Sequence, residues 1–143
     1  DVEEPFDITV VRETIVIPIV ESEMLEGNIA YVRLTQFNRN AEEQLLLALN
    51  ELLAQEPVGI VLDLRDNPGG FLDQSIAVAD IFLEDGIALL ERNNQGLDVT
   101  YRTETTGDPA ETLPLVVLVN AGSASGGSLV RPIASAGPKV RAR

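Results

Sequence analysis

Residues 58–70 read Val58-Gly59-Ile60-Val61-Leu62-Asp63-Leu64-Arg65-Asp66-Asn67-Pro68-Gly69-Gly70. The short, nearly continuous apolar run from Val58 to Leu64 predicts a strand buried on both faces. It breaks into a dense turn signal at Arg65 to Gly70. Leu72, Ile76, Ala79, Asp80 and Leu83 then recur at helical spacing, with Gly86 as a stop. Strand, Gly-rich turn and helix in that order form the unit of an α/β fold.

The flanks extend the pattern. Upstream, Ile29 to Leu34 is a strand following the turn residues Gly27-Asn28. Asn40 is a predicted N-cap, with Glu42 and Glu43 in the first turn of a helix. That helix carries Leu45, Leu46, Leu49, Leu52 and Leu53 and ends before Pro57. Further upstream, the β-branched stretch Ile8 to Val20 predicts one or two strands, and Glu21 to Gly27 an acidic connector. Downstream, Ile87 to Arg92 and Leu97 to Arg102 flank Asn93-Asn94-Gln95-Gly96, a hairpin signal. A polar loop, Thr103 to Thr112, leads to a second apolar strand, Leu115 to Val119, which runs into Asn120-Ala121-Gly122-Ser123-Ala124-Ser125-Gly126-Gly127. The expected fold is α/β, with helices flanking a partly parallel sheet. In such sheets ligands sit beyond the carboxyl ends of the strands, where both Gly-rich turns fall.

Composition removes whole classes of chemistry. The chain has no His, so a Ser-His-Asp triad cannot be complete in it, and no Cys, so thiol catalysis, thiolate metal sites and disulfides are excluded. Apolar residues make up 45% of 143, enough for a core. The net charge is −13, and it is uneven. Residues 131–143 carry Arg131, Lys139, Arg141 and Arg143 without an acid, which leaves −17 on the remainder. Such a body repels nucleic acid and anionic lipid. No apolar run approaches the roughly 18 residues of a membrane span, and the acidic start Asp1-Val2-Glu3-Glu4 is not a signal peptide.

Each turn has a bland reading and a chemical one. Asn67-Pro68-Gly69-Gly70 is either a tight connection or a set of backbone amides aimed at a developing oxyanion. Ser123 and Ser125 are either helix caps or nucleophiles with oxyanion donors beside them. The arrangement is neither a Gly-x-Ser-x-Gly elbow, since Ala124 sits centrally between Gly122 and Gly126, nor a phosphate-binding loop. Asp63, Asp66, Asp73 and Asp80 suit solvated faces and turn caps better than a metal site. Tyr31, Phe37, Phe71 and Phe82 are expected in the core or lining a groove.

Four blocks in order carry a resemblance: Asn28 to Phe37, Gly59 to Leu72, Ala77 to Leu83, and Pro114 to Asn120 with Gly122-Ser123-Ala124-Ser125. Together they resemble the C-terminal processing peptidases, or tail-specific proteases. The resemblance implies a crotonase/Clp-protease-like core, here incomplete at its C-terminus. It implies a serine endopeptidase that cuts proteins near their C-termini with a Ser–Lys dyad, which suits a chain without His. The nucleophile maps to Ser125, with Ser123 as runner-up. The oxyanion hole maps to Gly69 or Gly70 together with Gly126. No cofactor or metal is implied. The partners implied are protein or peptide C-terminal tails and not nucleic acid, with self-association through an open sheet edge and a membrane tether upstream in the parent protein. The place implied is extracytoplasmic, a bacterial periplasm or cell envelope. Residues 1–20 resemble the exit from an upstream PDZ domain and the strands leading on from it, residues 21–130 the peptidase core, and residues 131–143 a basic tail outside the resemblance.

The chain departs from the family after Ser125. Gly126, Gly127 and Pro132 replace a helix-forming run. The family lysine would fall beyond Arg143, and Lys139, the chain's single lysine, has the wrong neighbours and is expected in a solvated tail. The rival readings are a non-catalytic module on the same fold, either a retinoid-binding-like carrier or a pseudo-peptidase.

Overall fold

In a computed structural model of the chain, the structure describes residues 18–83, 87–92, 95–96, 98–103, 109–124 and 140–142. Strands β1 (Val20–Leu25), β2 (Ile29–Leu34), β3 (Gly59–Asp63), β6 (Leu115–Leu118) and β7 (Val140–Ala142) form one sheet in the order β1-β2-β3-β6-β7. β1 runs antiparallel to β2, and every other neighbouring pair is parallel. Helix α1 (Ala41–Leu53) joins β2 to β3. Helix α2 (Leu72–Asp80), the hairpin of β4 (Ile87–Arg92) and β5 (Asp98–Arg102), and a short 3-10 turn at Pro109–Thr112 lie between β3 and β6. The result is a mixed sheet flanked by helices.

Burial follows the sequence pattern. β2 alternates, with Ala30, Val32 and Leu34 fully buried. β3 is buried on both faces except for half-buried Val61, as its unbroken apolar run predicts. α1 turns Ala41, Leu45, Leu49 and Leu52 inward, spaced to fall on one helical stripe. These residues and Phe37, Leu62, Leu64, Val78 and Val117 make one continuous core.

Four details differ from the sequence reading. Glu21 to Leu25 is strand, because each of its residues pairs with β2 in register, from Glu21 with Arg33 to Leu25 with Ile29. Its acidic side chains point to solvent, as suits an edge strand. The solvated tail is likewise corrected: Val140–Ala142 forms β7 and covers β6, pairing Leu115 with Val140 and Val117 with Ala142. A sheet edge full of unpaired amides outweighs the local charge of the segment. Asn40 occupies the N-cap position of α1 but makes no side-chain cap. Gln74 of α2 caps instead, accepting the Glu42 amide at 3.2 Å. Finally, α2 stops at Asp80. The chain tightens through i to i−3 bonds at Phe82 and Leu83, which brings Ile81 and Phe82 into the core.

Candidate active site

β3 and β6 are adjacent and parallel, so both leave the sheet at the same edge. The turns that follow them therefore meet. Leu64 N–H, one step past β3, still donates to Leu118 O at the end of β6 at 2.9 Å. Beyond that, side chains take over. Asp66 N–H donates to Asn120 Oδ1 at 2.9 Å, and Asn120 Nδ2 returns a bond to Asp66 Oδ1 at 2.8 Å. Asn120 Oδ1 also accepts the Gly122 amide at 3.0 Å. A Cβ at Gly122 would lie 2.6 Å from Asp66 Oδ1 and 3.0 Å from Asp66 Cα, so a side chain there would displace the Asp66 carboxylate from its bond with Asn120.

Asn67 is the clasp of the site. It is fully buried. Its Nδ2 donates to Leu34 O at 2.8 Å, and its Oδ1 accepts the Gly69 amide at 2.8 Å. Its carbonyl accepts the Ala124 amide at 3.0 Å. One side chain and one carbonyl thus tie the ends of β2, β3 and β6 together. Replacing Asn67 with Ala strands a buried carbonyl and a buried amide, each costing about 1–3 kcal/mol. Asn67→Ala is expected to lose about 2–6 kcal/mol in chemical denaturation, and a loss under about 1 kcal/mol would refute the clasp.

The two oxyanion candidates in the first turn separate. Gly69 is buried and its amide is spent on Asn67. Gly70 is exposed, and it forms a parallel bridge with Phe37. Phe37 N–H donates to Gly69 O at 2.9 Å, and Phe71 N–H to Phe37 O at 2.8 Å. In a parallel bridge the bracketed residue's own N–H points the other way, so the Gly70 amide faces outward and has no partner among the described residues. Its φ is +151°, and an ideal Cβ there would overlap Phe37 O.

The two serines also separate. Ser123 Oγ donates to Leu64 O at 2.7 Å and accepts the Asn120 amide at 3.0 Å. Its hydroxyl is a brace between the turns, and its proton is already committed. Ser125, Gly126 and Lys139 lie outside the described residues.

Asp63 anchors the approach to the first turn. Its carboxylate accepts the Arg65 backbone amide at 2.9 Å, Arg65 Nη2 at 2.6 Å and Tyr31 Oη at 2.7 Å. Burial alone would raise its pKa. The hydrogen bonds from Arg65 and Tyr31 and the guanidinium charge outweigh burial and hold it down to about 2, from 3.8. Burial, and then the neighbouring carboxylate, push the Tyr31 phenol upward. The folded state therefore favours the ionised acid. This stability is fully present above about pH 4 and is lost as pH falls toward 2. Arg65→Gln should move the acid-unfolding midpoint, followed by circular dichroism, to higher pH. An unchanged midpoint would mean the pair does not matter to folding. Asp63 and Asp66 are thus spent on turn geometry, and among the described residues no three acids are grouped to hold a metal.

The model of peptidase family S41 matches residues 28–133. A carboxy-terminal-processing protease of Bartonella bacilliformis is 39% identical over 133 residues, 90% of this chain and 30% of that protein. The carboxy-terminal processing protease CtpA of Bacillus subtilis is 33% identical over 87% of this chain and 26% of its own length. Among solved structures, the photosystem II D1 C-terminal processing protease superposes with a TM-score of 0.78 at 28% identity, over 90% of this chain and 36% of that one. The chain thus spans about 30% of the length of the first of these relatives.

Proposed function

This chain belongs to peptidase family S41, and on that premise we propose that it supplies the nucleophile and oxyanion side of a serine endopeptidase site that cuts proteins near their C-termini. The observation that carries the proposal is the clasp at Asn67. It fixes the serine-bearing turn through Ala124 while leaving the neighbouring Gly70 amide without a partner among the described residues.

Ser125, the residue after Ala124, attacks the scissile carbonyl carbon through Oγ. A neutral lysine amine takes the hydroxyl proton, and the carbonyl oxygen becomes an oxyanion that accepts the N–H groups of Gly70 and Gly126. Collapse expels the amine product, which takes that proton. Water then attacks the acyl-serine while the lysine accepts its proton, and collapse releases the new C-terminus as the lysine returns that proton to the departing Ser125 Oγ. By the family resemblance, that lysine comes from sequence following Arg143 and not from Lys139. The same resemblance assigns an upstream PDZ domain for presenting substrate tails, and an extracytoplasmic place of action.

A fluorophosphonate probe on the full-length protein tests this assignment. Phosphonylation of Ser125, located by peptide mass spectrometry, is expected. Labelling of Ser123 instead, or cleavage of an unfolded protein with no serine labelled, would overturn it.

A further inference from the structure

The turn after β3 and the serine-bearing turn after β6 are joined at two separate places. One is the single bond from the Ala124 amide to the Asn67 carbonyl, 3.0 Å long. A single hydrogen bond holds a distance but leaves its two partners free to swing about it. The other place is the Asn120 carboxamide. Its Oδ1 accepts one amide from each turn, Asp66 at 2.9 Å and Gly122 at 3.0 Å, and its Nδ2 donates to Asp66 Oδ1 at 2.8 Å. A planar group with three bonds fixes orientation as well as distance. The contact is made against a backbone preference. Asp66 has a φ of +60°, the left-handed region that few residues other than Gly, Asn and Asp adopt. Asp66 and Asn120 are both exposed, so no apolar burial rewards that conformation. Such strain is characteristic of active-site turns.

We propose that Asp66 and Asn120 are a positioning pair, which sets the angle between the nucleophile's turn and the oxyanion donor's turn. The proposal rests on the reading of Ser125 as nucleophile and Gly70 as donor. The path of the chain supports it. Ser125 follows Ala124 directly, and Gly70 follows Asn67 by three residues, so both reacting groups are carried just beyond the Asn67–Ala124 bond. Asp66 and Asn120 hold the same two turns on the other side of that bond, nearer the strands along the chain. Releasing them makes the Asn67–Ala124 bond a pivot, and rotation there moves Ser125 relative to Gly70. A misplacement of about 1 Å is enough to lower a rate about a hundredfold. Ser123 does a different job. Its hydroxyl ties the second turn to Leu64 O, before the first turn begins, and its removal leaves both Asp66 contacts in place.

The test is steady-state cleavage of an unfolded protein by the full-length enzyme and its variants, each assayed where circular dichroism shows it folded. Asn120→Leu removes all three bonds. It is expected to lower kcat about thirtyfold or more while KM changes less than about threefold, because substrate still binds but attack is misaligned. A pair that served stability alone would lower the unfolding midpoint and leave kcat of the folded protein unchanged. Exchanging the roles, with Asp66→Asn and Asn120→Asp together, rebuilds the same bonds with the side-chain donor and acceptor reversed. That double variant should return kcat to within about fivefold of wild type. Wild-type kcat in Asn120→Leu, a loss confined to KM, or an exchanged protein no faster than Asn120→Leu would overturn the proposal. Should Asn120→Leu fail to fold, Asp66→Gly decides. Glycine suits the φ of +60°, and only the bond from Asn120 Nδ2 is lost. A kcat lower by about threefold or more, the scale of one hydrogen bond, supports the pair, and an unchanged kcat refutes it. The two readings fail in different ways. A wild-type protein that cleaves nothing removes the peptidase reading and leaves the pair nothing to position, whereas a wild-type protein that cleaves no faster than Asn120→Leu removes the pair alone.

Discussion

Ser125→Ala in the full-length protein is expected to reduce peptide cleavage by about 10⁴-fold or more, because it removes the covalent route. Ser123→Ala is expected to keep most of the activity and to lose stability instead. The two hydroxyls sit two residues apart and look interchangeable as sequence, but the fold uses Ser123 as a brace. Its proton goes to Leu64 O and its lone pair takes the Asn120 amide. A hydroxyl so bound would have to break the junction of the two turns to attack a substrate. Losing it should cost about 1–2 kcal/mol of stability, the scale of a half-buried bridging hydrogen bond. Steady-state cleavage and thermal unfolding of both variants separate the roles. An active Ser125→Ala protein beside an inactive, fully stable Ser123→Ala protein would reverse the assignment.

Much of this arrangement is legible in residues 58–70 and 115–124, because period and punctuation there agree with the tertiary environment. The unbroken apolar run of β3 can only be buried on both faces, and the glycines that end it mark the place where backbones approach closely. The parallel pairing of β3 with β6 then follows from the intervening helix and hairpin. What the sequence conceals is nonlocal. Glu21 to Leu25 has the composition of a connector and becomes strand only because β2 offers it a ladder. Val140–Ala142 becomes strand for the same reason against β6. Gln74 caps a helix that begins 33 residues before it, and no local pattern announces that contact.

The site shows the same division. Asn67, Gly69 and Gly70 are one motif in sequence. The fold makes Asn67 the clasp, spends the Gly69 amide on it and leaves the Gly70 amide without a partner among the described residues. One signal could have suggested this in advance. An Asn two residues before a glycine can accept that residue's amide in an Asx turn, which would have marked Gly69 as the spent donor.

Gly70→Ala should then be the most damaging single-methyl change in this part of the molecule. The added Cβ would overlap the carbonyl oxygen of Phe37 and crowd its carbonyl carbon and Cα, all of them backbone atoms that cannot rotate away as a side chain could. Relief requires opening the Phe37–Gly70 bridge, which carries the bonds from Phe37 N–H to Gly69 O and from Phe71 N–H to Phe37 O. Two hydrogen bonds at about 1 kcal/mol each, with about 1–3 kcal/mol of strain from a φ that disfavours alanine, give an expected loss of about 3–5 kcal/mol. Phe37 is fully buried, so any shift of its backbone is transmitted to the core. Catalysis should suffer separately, because the Gly70 amide can serve an oxyanion only while the bridge holds it outward. Losing one such donor costs about 10²–10³ in kcat. Gly96→Ala is the matched control. Its φ of +78° also disfavours alanine, yet nothing lies within 4 Å of its added Cβ. It should cost only about 1–2 kcal/mol, the price of the dihedral without the overlap. Denaturation curves for both variants, with kcat measured under conditions where each remains folded, distinguish crowding from strain. A Gly70→Ala protein no less stable than Gly96→Ala, or one that is destabilised but turns over at the wild-type rate, would remove Gly70 from the oxyanion hole and return the turn to plain structure.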